Sequence, residues 1–151
     1  MIIEVASEDA SKSFGAKLGG FLRGGEIIEL VGDVGAGKTA LTKGIAAGMK
    51  IEETIQSPSF TISRVYEAPN ELRLAHYDFY RLHDAGIMTD ELQETIRDQA
   101  TVTIIEWAGI VEGVLPDDRL TITITSPTET DRRMEIAAGG EKSKVLMEGL
   151  R

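Results

Sequence analysis

The residues with the clearest chemical signature are Gly32-Asp33-Val34-Gly35-Ala36-Gly37-Lys38-Thr39. They match G-x-x-x-x-G-K-[ST] without exception, and each position has a physical reason. A loop that wraps phosphates with backbone amides excludes bulky side chains near its turn. Glycine allows the positive φ that points those amides inward. A helix opening at Gly37 adds the positive end of its dipole. Lys38 carries a point charge toward β- and γ-phosphates, and Thr39 offers a hydroxyl to Mg²⁺. With 16 glycines in 151 residues, a chance match occurs in roughly one of a hundred such chains. The plain alternative is a glycine-rich strand-to-helix turn with no ligand.

Nucleotide hydrolysis also needs carboxylates, to hold Mg²⁺ and orient water. Glu106 directly follows the apolar run Val102-Thr103-Ile104-Ile105. It therefore sits at the C-terminal end of a buried strand, where α/β folds place ligands. Asp78 lies in His76-Tyr77-Asp78-Phe79-Tyr80-Arg81, at the end of another strand. Each has a structural alternative: a solvated strand-end Glu106, and an Asp78–Arg81 ion pair.

These groups need elements to position them. Met1–Val5 reads as a strand, and Ser7 as the cap of a helix with Ala10, Phe14, Leu18, Phe21 and Leu22 on its apolar face. Glu26–Val31 reads as a buried strand and Lys38–Met49 as a helix. Ala40, Gly44, Ala47 and Gly48 would let that helix lie close to a sheet. Phe60–Tyr66 and Leu72–Tyr80 form a hairpin around Ala68–Glu71, and His83–Gln99 a helix. Thr101–Ile105, Arg119–Thr125 and Arg132–Ala137 are strands, Trp107–Gly113 a short helix or loop, and Lys142–Leu150 a closing helix. This order describes an α/β domain with some antiparallel strands.

Composition narrows the functional classes. One domain spanning residues 1–151 suits the length. The net charge of −9 disfavours coating a nucleic acid. The absence of cysteine removes disulfides, thiolate zinc sites, iron–sulfur clusters and thiol nucleophiles, and suits a reducing cytoplasm. His76 and His83 are the only histidines, too few for a multi-histidine metal site. No apolar run approaches the ~20 residues of a membrane span.

Four blocks resemble the bacterial TsaE family, the ATPase of tRNA threonylcarbamoyladenosine synthesis: Gly32–Thr39, Ser57-Pro58-Ser59-Phe60-Thr61, His76–Leu82 and Ile105-Glu106-Trp107. The resemblance covers nearly the whole chain. His-Tyr-Asp-Phe-Tyr-Arg-Leu followed by Glu-Trp is its most specific part. It implies a P-loop NTPase-like three-layer sandwich with a mixed sheet. Gly32 and Val34-Gly35-Ala36-Gly37-Lys38-Thr39 would bind ATP or ADP, and Thr39 and Glu106 would hold Mg²⁺. Asp78 would act beside the γ-phosphate, with Lys38 and Glu106 sharing the catalytic work. Ser57–Thr61 resembles a switch-like segment, and Trp107 would lie near the nucleotide. Ser7 and Glu8 at the first helix start, with Arg132 at the last strand, would flank the base. Ser59 stands where the family usually has Thr, and Asp84–Thr95 lacks its acidic-then-glycine pattern, so no role transfers there.

The leading expectation is a cytoplasmic, Mg-dependent ATPase, weak alone and stimulated by partners. The resemblance names those partners as TsaD and TsaB, which would carry the tRNA. ATP hydrolysis would reset their complex rather than perform the transfer. A small-molecule or nucleotide kinase is an alternative, opposed by the lack of an Arg-rich lid. A non-catalytic nucleotide-binding module is another, opposed by the presence of both Asp78 and Glu106.

Overall fold

The computed structural model describes residues 1–58, 61–84, 86 and 88–151. Its centre follows from the apolar runs. β1 (Ile2–Val5) and α1 (Glu8–Phe21) precede β2 (Ile27–Val31) and α2 (Lys38–Gly48). The hairpin β3 (Ser63–Glu67) and β4 (Arg73–Asp78) leads to α3 (Met88–Arg97) and β5 (Thr101–Glu106). A 3₁₀ helix (Ala108–Val114), β6 (Leu120–Thr125), β7 (Arg132–Ala138) and α4 (Glu141–Gly149) complete the chain. All of β5 is buried, and β4 is buried beyond Arg73, as strands covered on both faces must be.

The seven strands form one mixed sheet in the order β1-β7-β6-β2-β5-β4-β3. β6, β2, β5 and β4 run parallel. β7 pairs antiparallel with β6, β1 with β7, and β3 with β4. On one face, α1, α2 and α4 contribute Leu18, Leu41, Ile45 and Leu146 to a core with Leu30, Leu74, Ile104 and Ile122. On the other, Leu92 of α3 and Val111 of the 3₁₀ helix pack with Ala75, Tyr77 and Ile105. The result is the expected three-layer α/β architecture.

Several boundaries differ from the sequence expectations. The hairpin's first strand begins at Ser63, and Ser59 and Phe60 lie outside the described residues, as do Ala85 and Ile87. The helix expected over 83–99 covers only Met88–Arg97. At its upstream side Asp84 Oδ1 accepts from Gly86 N at 3.1 Å, a local side-chain bond that competes with helix. At its downstream side the Asp98 carboxylate accepts from Ala100 N and Thr101 Oγ1, both at 2.9 Å, and turns the chain into β5.

The packing of α1 also differs. Phe21 is 41% exposed, and the buried residues are Ser11, Gly15, Leu18 and Gly19. The cause is backbone-on-backbone contact with α2. A Cβ on Gly15 would lie 2.6 Å from Leu41 O, and one on Gly44 2.3 Å from Lys12 O. A Cβ on Gly48 would lie 2.2 Å from Ala16 O. The small residues of α2 therefore serve helix–helix contact, not the helix–sheet contact expected from sequence.

Glycine normally weakens a helix by about 1 kcal/mol relative to alanine. Gly44→Ala should reverse that sign, because rigid backbone stands in the way, and cost about 3 kcal/mol. Gly20→Ala, where nothing lies within 4 Å of the new Cβ, should gain up to about 1 kcal/mol. Urea unfolding of both variants checks this; equal effects of the two would contradict the packing.

Candidate functional site

The ends of β2, β5 and β4 bring the sequence-predicted residues together. Gly32 follows β2, Glu106 closes β5, and Asp78 closes β4. Leu30 is in register with Glu106, and Glu106 with Asp78. Two carboxylates thus stand on adjacent strands beside the glycine loop.

The loop curls as its sequence requires. Gly35 and Gly37 have φ of +84° and +106°, conformations open to glycine. Gly37 caps α2 without a side-chain hydrogen bond. Within the loop Ala36 N donates to Asp33 O, and Leu41 N donates to Gly37 O. Among the described residues, the amides of Gly35, Gly37, Lys38 and Thr39 have no backbone acceptor. Such a helix start is a site for an anion.

Lys38 is only 7% exposed. Its Nζ donates to Gly32 O, and Asp33 O lies 3.4 Å away. Glu106 Oε1 stands 4.0 Å from it, and the Trp107 ring centroid 4.5 Å. Trp107 has left-handed backbone, φ +56° and ψ 52°, which costs of order 1–3 kcal/mol for a non-glycine residue. That turn carries the ring over Lys38 and against Tyr80, 4.8 Å between centroids. Trp107 therefore belongs to the loop's surroundings, not to the core.

On the other side of the loop, a cleft of about 490 Å³ is lined by Ser7, Glu8, Gly37, Thr39 and Arg132, among others. Ser7 caps α1 through Ala10 N at 3.0 Å, and Glu8 pairs with Lys12 at 3.2 Å. Arg132 Nη1 donates to Thr128 O, Glu129 O and Asp131 O, which holds the β6–β7 loop at the cleft. The residues expected to flank a base thus share one cleft with Thr39. Val34, at the tip of the loop, is 72% exposed.

The 57–61 segment reaches Asp78 through the backbone. Pro58 O accepts from Thr61 N and Ile62 N, and Ile62 O accepts from Asp78 N at 2.8 Å. Ser59, within that segment, lies outside the described residues. Sequence reading missed His76, whose Nε2 meets Glu106 Oε2 at 2.6 Å, and Tyr80 beneath Trp107. The signal for His76 was available: residues i and i+2 of a strand share a face, so His76 accompanies Asp78.

Asp78 is buried, and burial pushes its carboxyl above the ordinary range. The Tyr80 amide, 3.0 Å from Oδ1, opposes that shift, and Glu106 adds to it. The folded state therefore holds the Asp78 proton more tightly than the unfolded chain. This term leaves stability intact at acid pH and removes it as pH rises through the raised value. Asp78→Asn should then be more stable than the parent at neutral pH, by about 0.5–2 kcal/mol. The difference should vanish in acid. Thermal melts across pH check this, and a constant difference would contradict it.

Comparisons with known proteins identify the family. The family model described as "Threonylcarbamoyl adenosine biosynthesis protein TsaE" matches residues 5–134. A Bacillus subtilis protein named tRNA threonylcarbamoyladenosine biosynthesis protein TsaE is 35% identical over 142 residues, 94% of this chain and 88% of the relative. A protein of the same name from Treponema pallidum is 33% identical over 132 residues, 87% of this chain and 96% of the relative. The crystal structure of Bacillus subtilis YdiB superimposes with a TM-score of 0.82 at 30% identity, covering 99% of this chain and 93% of that one. The chain belongs to the TsaE family and takes part in tRNA threonylcarbamoyladenosine biosynthesis.

Proposed function

We propose that the protein is a Mg-dependent ATPase subunit of this tRNA modification, acting in the cytoplasm on a TsaB–TsaD complex that it resets between turnovers. The observation that carries the reading is Lys38. Its buried ammonium lies under a loop whose α2 amides are open, with Glu106 4.0 Å away. That combination suits a polyphosphate: amides and dipole for the oxygens, and an ammonium for the β- and γ-groups. ATP or ADP would run from this loop toward the Ser7, Glu8 and Arg132 cleft.

The donor set also fits a divalent cation. Among the described residues, His, Asp and Glu do not converge in threes. Mg²⁺ typically takes one or two protein oxygens and completes its shell with phosphates and water. Thr39 Oγ1 and Glu106 Oε1 are the candidates here. The ion would neutralise charge developing on the transferred phosphoryl group. Asp78, held by Tyr80 N, would orient the attacking water.

Exposure of the site supports partner dependence. Thr39, Val34 and the outer face of Trp107 are open to solvent. Electrostatic stabilisation is stronger where water is excluded, and a docked partner supplies that exclusion. The acidic chain leaves the tRNA to its partners.

Phosphate release by the protein alone and with TsaD and TsaB tests the reading. The partners should raise kcat at least about tenfold. Lys38→Ala should lower kcat by about 10²–10³-fold in the same assay with the fold intact. A fast rate that the partners leave unchanged would sink the resetting role. Because Trp107 is the only tryptophan, its emission should also shift on adding Mg-ADP. A flat titration at saturating nucleotide would contradict its place beside the phosphates.

A further inference from the structure

His76 is fully buried on β4, two residues before Asp78 and on the same face. Around it the sheet contributes Leu74, Ile104 and Leu30 to the apolar core shared with α1 and α2. Its Nε2 lies 2.6 Å from Glu106 Oε2, while Nδ1 has no partner among the described residues. An ionised carboxylate only accepts hydrogen bonds. A proton on Nδ1 alone would bury an unpaired donor and set two lone pairs against each other. With Glu106 ionised, the tautomer with its proton on Nε2 is the one that makes this hydrogen bond, as donor to Glu106.

The two oxygens of Glu106 are thereby divided. Oε2 faces the core and His76, and Oε1 faces Lys38 at 4.0 Å. Without the imidazole, the attraction between Glu106 and Lys38 would draw them into a closer pair. That pair would take the ammonium from the loop and the carboxylate from any cation. An apolar side chain would pack this core position without leaving Nδ1 unpaired, so packing does not explain a histidine here.

We propose that His76 is a positioning residue. Its Nε2–H holds Glu106 so that one oxygen, Oε1, is presented to the divalent cation at the loop. The inference rests on the nucleotide reading above and adds to it a residue with no ligand contact of its own.

The test uses His76→Leu, which packs without a donor, and His76→Gln, which restores an N–H. Phosphate release with TsaD and TsaB is measured against Mg²⁺ concentration. Trp107 emission is titrated with ADP, in Mg²⁺ and in chelator. His76→Leu should raise the Mg²⁺ requirement about 10–100-fold, as loss of an outer partner of a metal ligand does. Its ADP affinity in chelator should stay at the parent value, and His76→Gln should recover most of the Mg²⁺ response. An unchanged Mg²⁺ requirement in His76→Leu, or equal impairment of both variants, would overturn the proposal. Failure of the parent itself to bind ADP in either condition would instead sink the nucleotide reading. Imidazole ¹⁵N–¹H correlation spectra of the parent, assigned with His83→Asn, give an arm free of activity and of folding defects. A proton on Nε2 supports the proposal, and a bare Nε2 overturns it.

Discussion

A buried ammonium needs acceptors, and this site is organised around the ones that Lys38 finds. It takes the carbonyls of Gly32 and Asp33, the face of Trp107, and Glu106 at longer range. These come from the end of β2, the turn after β5 and the end of β5. Their convergence depends on β5 lying directly beside β2 with Leu30 opposite Glu106. A slip of one residue in that register would send Glu106 to the α3 face and bring Ile105 under the lysine. The apolar central strands therefore do more than fill the core, since their register sets the charge balance at the loop.

The second constraint is the approach of α1 to α2. Both helices begin at the cleft, α1 with Ser7 and Glu8, α2 with Gly37, Lys38 and Thr39. The distance between their axes sets the width of that cleft. Glycines on both helices let backbone meet backbone, which leaves little room for relative sliding. A cleft held by side-chain contacts alone would be wider and more compliant. The stability that glycine forfeits inside a helix is thus exchanged for a fixed spacing between two helix starts.

Local pattern made much of this legible in the sequence. The glycine loop, the strands that feed it and the carboxylates at strand ends follow from spacing and apolar runs. So do the Ser7 cap and the antiparallel β3–β4 pair. What escaped was decided by partners distant in sequence. Helical spacing puts Phe21 on the buried face of α1, but the face that docks on α2 is the one with glycines. Gly44 and Gly48 face α1 and not the sheet, a distinction that helical periodicity cannot make because it does not reveal which neighbour is closest. The helix before β5 is shorter than its periodicity suggests because Asp84 and Asp98 make side-chain bonds that compete with helical ones. The pairing of His76 is invisible to local pattern because its partner lies 30 residues away, on the neighbouring strand.

The electrostatics of the site are unbalanced in a way that couples its ligands. Asp78 and Glu106 stand in register on adjacent strands, both buried, with one lysine between them and the loop. Phosphates entering alone would meet the Lys38 ammonium and the α2 amides, but also two carboxylates. A divalent cation entering alone would meet two carboxylates but also the ammonium. Each ligand supplies the charge that the other lacks, so on the nucleotide reading each must strengthen the other's binding by the same factor. Burial enlarges that coupling, because opposite charges attract more strongly where water is scarce. On the same reading, the burial that raises the Asp78 carboxyl would also favour nucleotide and cation binding together over either alone.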